Sequence, residues 1–208
     1  MTAVVVLGMH RSGTSLVSSV LNSLGVNMGQ NGFLEADEGN PHGYWEDSEF
    51  LDVNKRILKL ANGSWRNPPP VDDLKEMRKH PELSSVCRQL IANRVGKWGW
   101  KDPRTCLTIP IWWKFLDAND TKIVVVRRDK GDVMRSLDKL HGGSTWGKLC
   151  DIYQERIDTF LREESPKFGY VRFDELIDPR LALTAVEWLA DFVEADVALV
   201  KTARKVIK

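Results

Sequence analysis

The stretch from Ala3 to Ser15, "AVVVLGMHRSGTS", decides the fold class. Its apolar run, ending in Gly8, is typical of a strand that is buried on both faces of a sheet. Residues 8–15 follow with the spacing Gly-x-x-x-x-Gly-x-Ser of a phosphate-binding loop. Apolar residues then repeat at helical spacing from Leu16 to Leu24, and Gly25 offers a helix end. Strand, glycine loop and helix in this order predict a phosphate cradle.

The rest of the chain alternates between the same two patterns. Apolar runs predict further strands at 97–102, 122–127 and 169–173. Helical periodicity predicts helices over 48–60, 82–95, 131–140, 148–162 and 181–192, with one or two helical turns over 109–116. Strands that alternate with helices predict a three-layer α/β/α fold with a central, mostly parallel sheet of the P-loop NTPase-like type. The segment 62–70 breaks all periodicity and predicts a surface loop that borders a substrate site.

Length and composition restrict the kinds of partner. The chain has 208 residues, which suits a single domain over 1–208. A formal net charge of +1 gives no global field for nucleic acid, and no apolar run reaches the roughly 18 residues of a membrane span. The three cysteines lack metal-site spacing and predict free, buried thiols. These features and the missing basic leader predict a cytoplasmic protein, while the oligomeric state stays open.

The composition of the loop indicates which phosphate it binds. Gly8 and Gly13 permit the tight turn, and Ser12, Thr14 and Ser15 add hydroxyl donors. Thr14 stands where an ATP or GTP loop has lysine, and Arg11 adds a bidentate cation inside the loop. His10 also lies in the loop, where it packs locally or approaches the phosphate. Asp102 is only a weak candidate for binding magnesium. We therefore expect no metal and no triphosphate chemistry.

A second basic site follows another buried strand, in "VVVRRDKGDVMRSL" at 124–137. Arg128 comes just past the strand and Ser136 lies in the next helix, so that both can face the crevice at the carboxyl end of the sheet. The chain thus offers two anion sites at the ends of two buried strands. A nucleotide with phosphates at two separate places matches that arrangement.

These residues resemble the sulfotransferases that depend on 3′-phosphoadenosine-5′-phosphosulfate (PAPS), especially the bacterial-type and tyrosylprotein-like members. "GMHRSGTS" is similar to their 5′-phosphosulfate loop, and Arg128 with Ser136 to their 3′-phosphate pair. "NPHGYWED" at 40–47, "WGWKDPRTCLTIP" at 98–110 and "VRFDELIDPRLAL" at 171–183 resemble further blocks of the family. Phe173 stands in the last block where the family has a tyrosine near the adenine.

The resemblance implies sulfonate transfer from PAPS, with 3′,5′-ADP (PAP) as the product and no metal. His10, Arg11, Ser12, Gly13, Thr14 and Ser15 would then bind the 5′-phosphosulfate, and Arg128, Ser136 and Phe173 the 3′-phosphoadenosine part. Arg11 suits the bridging oxygen, where charge develops on the leaving group. Lys101 resembles a lysine near the transferring sulfonate, although a salt bridge to Glu46 or Asp102 would equally explain it.

An acceptor hydroxyl needs a general base within hydrogen-bond reach. Glu46 is the first candidate, because burial beside Tyr44 and Trp45 would raise the pKa of its carboxyl group. His42 and His141 are the other candidates. The acceptor is expected to be a glycan or another small hydroxyl compound, with an amine or a peptide tyrosine left open. Two alternatives compete with a sulfotransferase: a P-loop kinase or NTPase, and a catalytically silent nucleotide-binding protein of the same fold.

Overall fold

A computed structural model of the chain describes residues 1–29, 32–34, 43–143 and 146–207. Its strands are Ala3–Leu7 (β1), Trp98–Lys101 (β2), Thr121–Arg127 (β3) and Lys167–Arg172 (β4). Its helices are Thr14–Ser23 (α1), Ser48–Leu60 (α2), Val71–Met77 (α3), Pro81–Ala92 (α4), Thr105–Trp113 (α5), Lys130–His141 (α6), Trp146–Glu164 (α7), Phe173–Ile177 (α8), Ala182–Phe192 (α9) and Val200–Arg204 (α10). A short 3₁₀ turn, Val197–Leu199, precedes α10.

The strands described here form one sheet in the order β2-β1-β3-β4, and every pair is parallel. β1 pairs with β2 through Ala3 and Trp98, and with β3 through Ala3 and Thr121. The chain moves outward from β1 to β2 and then crosses to the other side of β1 to form β3. The carboxyl ends of β1 and β3 therefore meet at a topological switch point, where open α/β sheets bind ligands.

Both faces of the sheet are covered, because its central strands are apolar on both sides. Val4 and Val6 of β1 pack with α1, α9 and α10 on one face. Val5 and Leu7 face the other way, into a core formed with α2, α4, α5 and α7. The result is the three-layer α/β/α arrangement around a parallel sheet, which confirms the predicted fold class.

Most element predictions agree with the structure to within a few residues. The segment 62–70 is a loop as predicted, and Asp47 caps α2 by accepting a hydrogen bond from the backbone N–H of Glu49. The chain also forms α3, α8 and α10, which the periodicity did not predict. α5 begins at Thr105, several residues earlier than the predicted turns over 109–116. It is buried along most of its length, so no polar face marks where it begins.

Candidate functional site

The loop between β1 and α1 adopts a conformation that depends on its glycine. Gly13 has φ +94°, and a Cβ there would collide with the ring of Phe173, the first residue of α8. Arg11 also adopts a positive φ, of 68°. The first turn of α1 has no side-chain cap at Gly13. This tight turn brings the first turn of a helix, whose backbone N–H groups bind anions well, to the end of a buried strand.

The second predicted anion site lies directly beside the loop. Arg128 Nη1 donates a hydrogen bond to the carbonyl oxygen of Arg11 (3.0 Å), and Arg11 Nε donates to Ser136 Oγ (3.0 Å). The guanidinium of Arg128 lies 4.4 Å from the centre of the Phe173 ring. Residues that are more than 100 positions apart in the sequence thus form one cluster at the switch point.

Two polar atoms in this cluster are buried without a hydrogen-bond partner in the described part of the chain: Ser12 Oγ and Arg128 Nε. Both residues line a cavity of about 110 Å³ between the loop, the end of β3 and α7, together with Lys130. A buried donor that has no partner in the protein is what an anion site requires before its ligand arrives.

The other side of the loop carries a group of buried charges. Lys101, at the end of β2, donates to Glu46 Oε1 (3.0 Å), to Ser15 Oγ (3.3 Å) and to the carbonyl oxygen of Tyr44. Lys101 and Glu46 are only 1% and 4% exposed. Burial raises the pKa of Glu46, and the ammonium group of Lys101 opposes that rise. The predicted salt bridge between Lys101 and Glu46 is therefore present, and it lies against the loop.

Arg104 completes this charged group, although no sequence motif pointed to it. Its Nη1 lies 3.6 Å from Glu46 Oε2 and 2.8 Å from Asp102 Oδ1. The signal that could have identified it is the Asp-Pro-Arg turn, because Asp102 also accepts a hydrogen bond from the backbone N–H of Arg104 (3.0 Å). Asp102, which was considered for magnesium, is thus fully buried and engaged by Arg104.

An aromatic cluster borders the same site. The His10 ring lies 4.4 Å from the ring of Trp65, which belongs to the 62–70 loop, and 5.9 Å from that of Tyr153. Trp65 is also within 5.6 Å of His141 and stacks parallel to Trp146 at 6.2 Å. Trp65 of the 62–70 loop thus contacts His10 of the loop after β1, while a substrate site beside it stays a prediction. Trp98 and Trp100 instead pack in the core against Phe50.

The candidates for a general base differ in their burial and in the groups around them. Glu46 lies between two cations, as described above. His141 is exposed at the end of α6. His42 lies outside the residues that the structure describes. His10 Nε2 is buried without a hydrogen-bond partner in the described ranges, and burial lowers the pKa of His10 well below its usual value.

A larger cavity of about 350 Å³ lies between β4 and α9, next to Tyr170 and Trp188, and its lining contains none of the predicted site residues. Cys87, Cys106 and Cys150 are free and buried, as predicted. Among the helices that the structure describes, none has the length and apolar character that crossing a bilayer requires.

Comparisons with known proteins found a similarity among the solved structures. No protein-family model matches the chain, and no curated protein sequence does. Among the solved structures, the chain is similar to shikimate kinase from Bacteroides thetaiotaomicron, with 13% sequence identity and a TM-score of 0.45. The match covers 93% of this chain and 98% of the kinase chain. The sulfotransferase resemblance therefore rests on this chain's own residues.

Proposed function

We propose that the chain is a sulfotransferase that moves a sulfonate group from PAPS to a hydroxyl or amine acceptor. One observation carries the proposal: Arg128 and Ser136 meet Arg11 beside a loop that has no lysine, while Ser12 Oγ and Arg128 Nε stay unpartnered. A nucleotide with a 5′-phosphosulfate and a 3′-phosphate would place one anionic group beside Ser12 and the other beside Arg128. Arg11 and Ser12 would bind the 5′ end, and Arg128 with Ser136 would bind the 3′-phosphate.

The residues of the site would support the transfer mainly by placing positive charge beside the reacting group. In the reaction an acceptor oxygen forms a bond to sulfur, the bond from sulfur to the 5′-phosphate oxygen breaks, and a base takes the acceptor proton. Arg11 is suited to the oxygen that leaves with the electron pair, because its guanidinium group stays charged. Lys101 contacts Ser15 of the loop, and this contact supports a place for it beside the sulfonate. Phe173 would offer a ring, without a hydroxyl group, to the base of the nucleotide.

A P-loop kinase or NTPase remains the alternative, and the overall fold is compatible with both. Two features of the site favour the sulfotransferase. Thr14 occupies the place of the lysine that binds the β- and γ-phosphates in kinases and other NTPases. Asp102, the weak candidate for binding magnesium, already accepts hydrogen bonds from Arg104 and Asn54. A nucleotide-binding protein without activity would keep the phosphate contacts and transfer nothing.

The direct test incubates the purified chain with sulfur-labelled PAPS and a panel of sugars and phenols. We expect label in a sulfate ester, and we expect Arg128→Gln to lower the rate at least tenfold, because a charged hydrogen-bond partner is lost. Arg135→Gln is the matched control: it lies on α6 with its side chain 74% exposed, and the rate should not change. Phosphate transfer from Mg·ATP without transfer from PAPS would establish the kinase alternative.

A further inference from the structure

The loop after β1 has two neighbouring strands, so the site has a β2 side and a β3 side. On the β2 side, Lys101 pairs with Glu46. Arg104 pairs with Asp102, which also accepts a hydrogen bond from Asn54 of α2 (2.9 Å). Two cations therefore face two carboxylates there. The β3 side, which carries the residues proposed to bind the 3′-phosphate, is built differently.

Arg128, on the β3 side, is held by groups that carry no charge. Its Nη1 donates to the backbone carbonyl oxygen of Arg11 (3.0 Å), and its guanidinium lies 4.4 Å from the centre of the Phe173 ring. Its Nε is buried without a hydrogen-bond partner, and no carboxylate forms an ion pair with it, in the part of the chain that the structure describes. Arg127, the residue before it, pairs with Asp158 instead (2.8 Å). The charge of Arg128 is therefore available for an anion.

Phe173 reaches Arg128 because the two residues leave the sheet side by side. β3 and β4 are parallel, and their pairing ends with Arg127 opposite Arg172. Arg128 and Phe173 each come one residue later, at the carboxyl ends of neighbouring strands. The face of an aromatic ring carries partial negative charge and attracts a guanidinium, most strongly where water is partly excluded. An aliphatic side chain at position 173 would fill the same space without that attraction.

The Phe173 ring also lies against the loop. A Cβ on Gly13 would come within 2.2 Å of Phe173 Cδ2, so the ring packs directly on the backbone of this glycine. One ring thus contacts both the loop proposed for the 5′-phosphosulfate and the arginine proposed for the 3′-phosphate. It fixes where Arg128 lies relative to the loop. A fixed spacing between two anion sites favours a ligand that carries two phosphates at that spacing.

We propose that Phe173 is a positioning residue, which holds Arg128 beside the loop and thereby makes the site selective for a nucleotide with a 3′-phosphate. The proposal rests on the sulfotransferase function and adds to it. The family resemblance gives the ring a place beside the base of the nucleotide, whereas these contacts give it an effect on the phosphate. A guanidinium that is already held loses less conformational entropy when the phosphate binds. Because the ring carries no net charge, no ion pair has to break first.

The preference of the purified chain for 3′,5′-ADP over 5′-AMP tests the proposal. The two nucleotides differ only in the 3′-phosphate, so the ratio of their dissociation constants reports on the contacts of that group. Calorimetric titration without magnesium measures both constants. We expect the wild type to prefer 3′,5′-ADP and Phe173→Leu to lower this preference about five- to tenfold. Phe173→Tyr keeps the ring and should keep the preference within about twofold.

A matched control uses the neighbouring pair of ring and guanidinium. The Tyr170 ring lies 5.1 Å from the guanidinium of Arg127 on the same two strands, and Tyr170→Leu should leave the preference unchanged. A double-mutant cycle separates the contact from a general loosening of the fold: after Arg128→Gln, the further change Phe173→Leu should no longer alter the ratio. Phe173 is only partly buried, and leucine keeps an apolar side chain on Gly13. Phe173→Met is the second variant if the leucine variant does not fold.

Several outcomes would overturn the assignment. A ratio that stays the same in Phe173→Leu, whether both affinities fall or neither does, would leave the ring with the base alone or with no role. An equal fall of the ratio in the Arg128→Gln background would show that the ring does not act through Arg128. A wild type that binds both nucleotides equally would reject the 3′-phosphate contact itself. A wild type that does not bind 3′,5′-ADP at all is a different result, because it rejects the proposed function before Phe173 is tested.

Discussion

At the scale of the residue, the surroundings of His10 combine burial, aromatic contacts and nearby positive charge. Its ring packs against Trp65 and Tyr153. Burial lowers its pKa well below the usual value, and the charges of Arg104, Lys101, His141 and Arg11 act in the same direction. His10 is therefore neutral in the folded protein at neutral pH, in a loop that otherwise gathers positive charge.

This environment predicts a pH-dependent stability. The unfolded chain binds a proton at His10 below about pH 6.5, whereas the folded chain does not until its lower pKa is reached. The free energy of unfolding should therefore fall as the pH drops below 6.5, and His10→Asn should remove that part of the slope. Urea unfolding at pH 7.5 and 5.5 measures it. His80→Asn is the matched control, since asparagine can also cap α4. An unchanged slope in His10→Asn would contradict this account.

Gly13 provides a second test at single-residue scale. Alanine at a positive φ costs about 1–2 kcal/mol. At Gly13 a Cβ would also strike the Phe173 ring, whereas at Gly96, with φ +68°, nothing lies within 4 Å. We expect Gly13→Ala to destabilise the protein by about 1 kcal/mol or more beyond Gly96→Ala, in denaturant unfolding. Equal losses would show that Phe173 does not restrict the loop.

At the scale of the element, the contact between α2 and α5 holds the β2 side of the site. Asn54→Ala would leave the hydrogen-bond partners of its amide group unsatisfied in the core. We expect a loss of about 3 kcal/mol or more in the free energy of unfolding, measured with urea. Asn22→Ala, at an exposed position of α1, should change stability by no more than about 0.5 kcal/mol. A similar small change for Asn54→Ala would mean that this network does not stabilise the fold.

The sequence predicted strands and helices wherever the residues of a single segment carry a clear apolar pattern. β1 and β3 are apolar runs that end in a glycine loop and in two arginines, so both strands could be predicted, and the anion sites after them stay a prediction. α5 could not be bounded, because it is apolar nearly all round and contains Pro110 inside it. α3 is a seven-residue helix after three prolines, too short for periodicity to show.

Only part of the site could be predicted from the sequence, because some of its contacts depend on tertiary packing. Arg11, Arg128 and Ser136 were selected by their motifs, Lys101 by resemblance, and Glu46 by the apolar residues before it. Arg104 and the contact between His10 and Trp65 depend on tertiary packing: α2 supplies the amide that orients Asp102, and a distant loop supplies the tryptophan. No spacing within the sequence reports such a contact. The assignment of roles to these residues stays a prediction.

At the scale of the whole molecule, the sheet order places basic residues on both sides of one loop. Because β1 lies between β2 and β3, its loop has basic residues from both neighbours on either side. A ligand with charged groups at both ends, such as PAPS, would reach from one set of basic residues to the other across the carboxyl ends of three strands. A kinase site would instead concentrate its cations and a metal at one triphosphate.

Nucleotide-dependent thermal stability tests the central claim most directly. A ligand at 100 times its dissociation constant adds about 2.7 kcal/mol to the free energy of unfolding, which shifts the melting temperature by several degrees. We predict this shift with 3′,5′-ADP in the absence of magnesium, a smaller one with 5′-ADP, and little with Mg·ATP. Stabilisation by Mg·ATP but not by 3′,5′-ADP would contradict the sulfotransferase account.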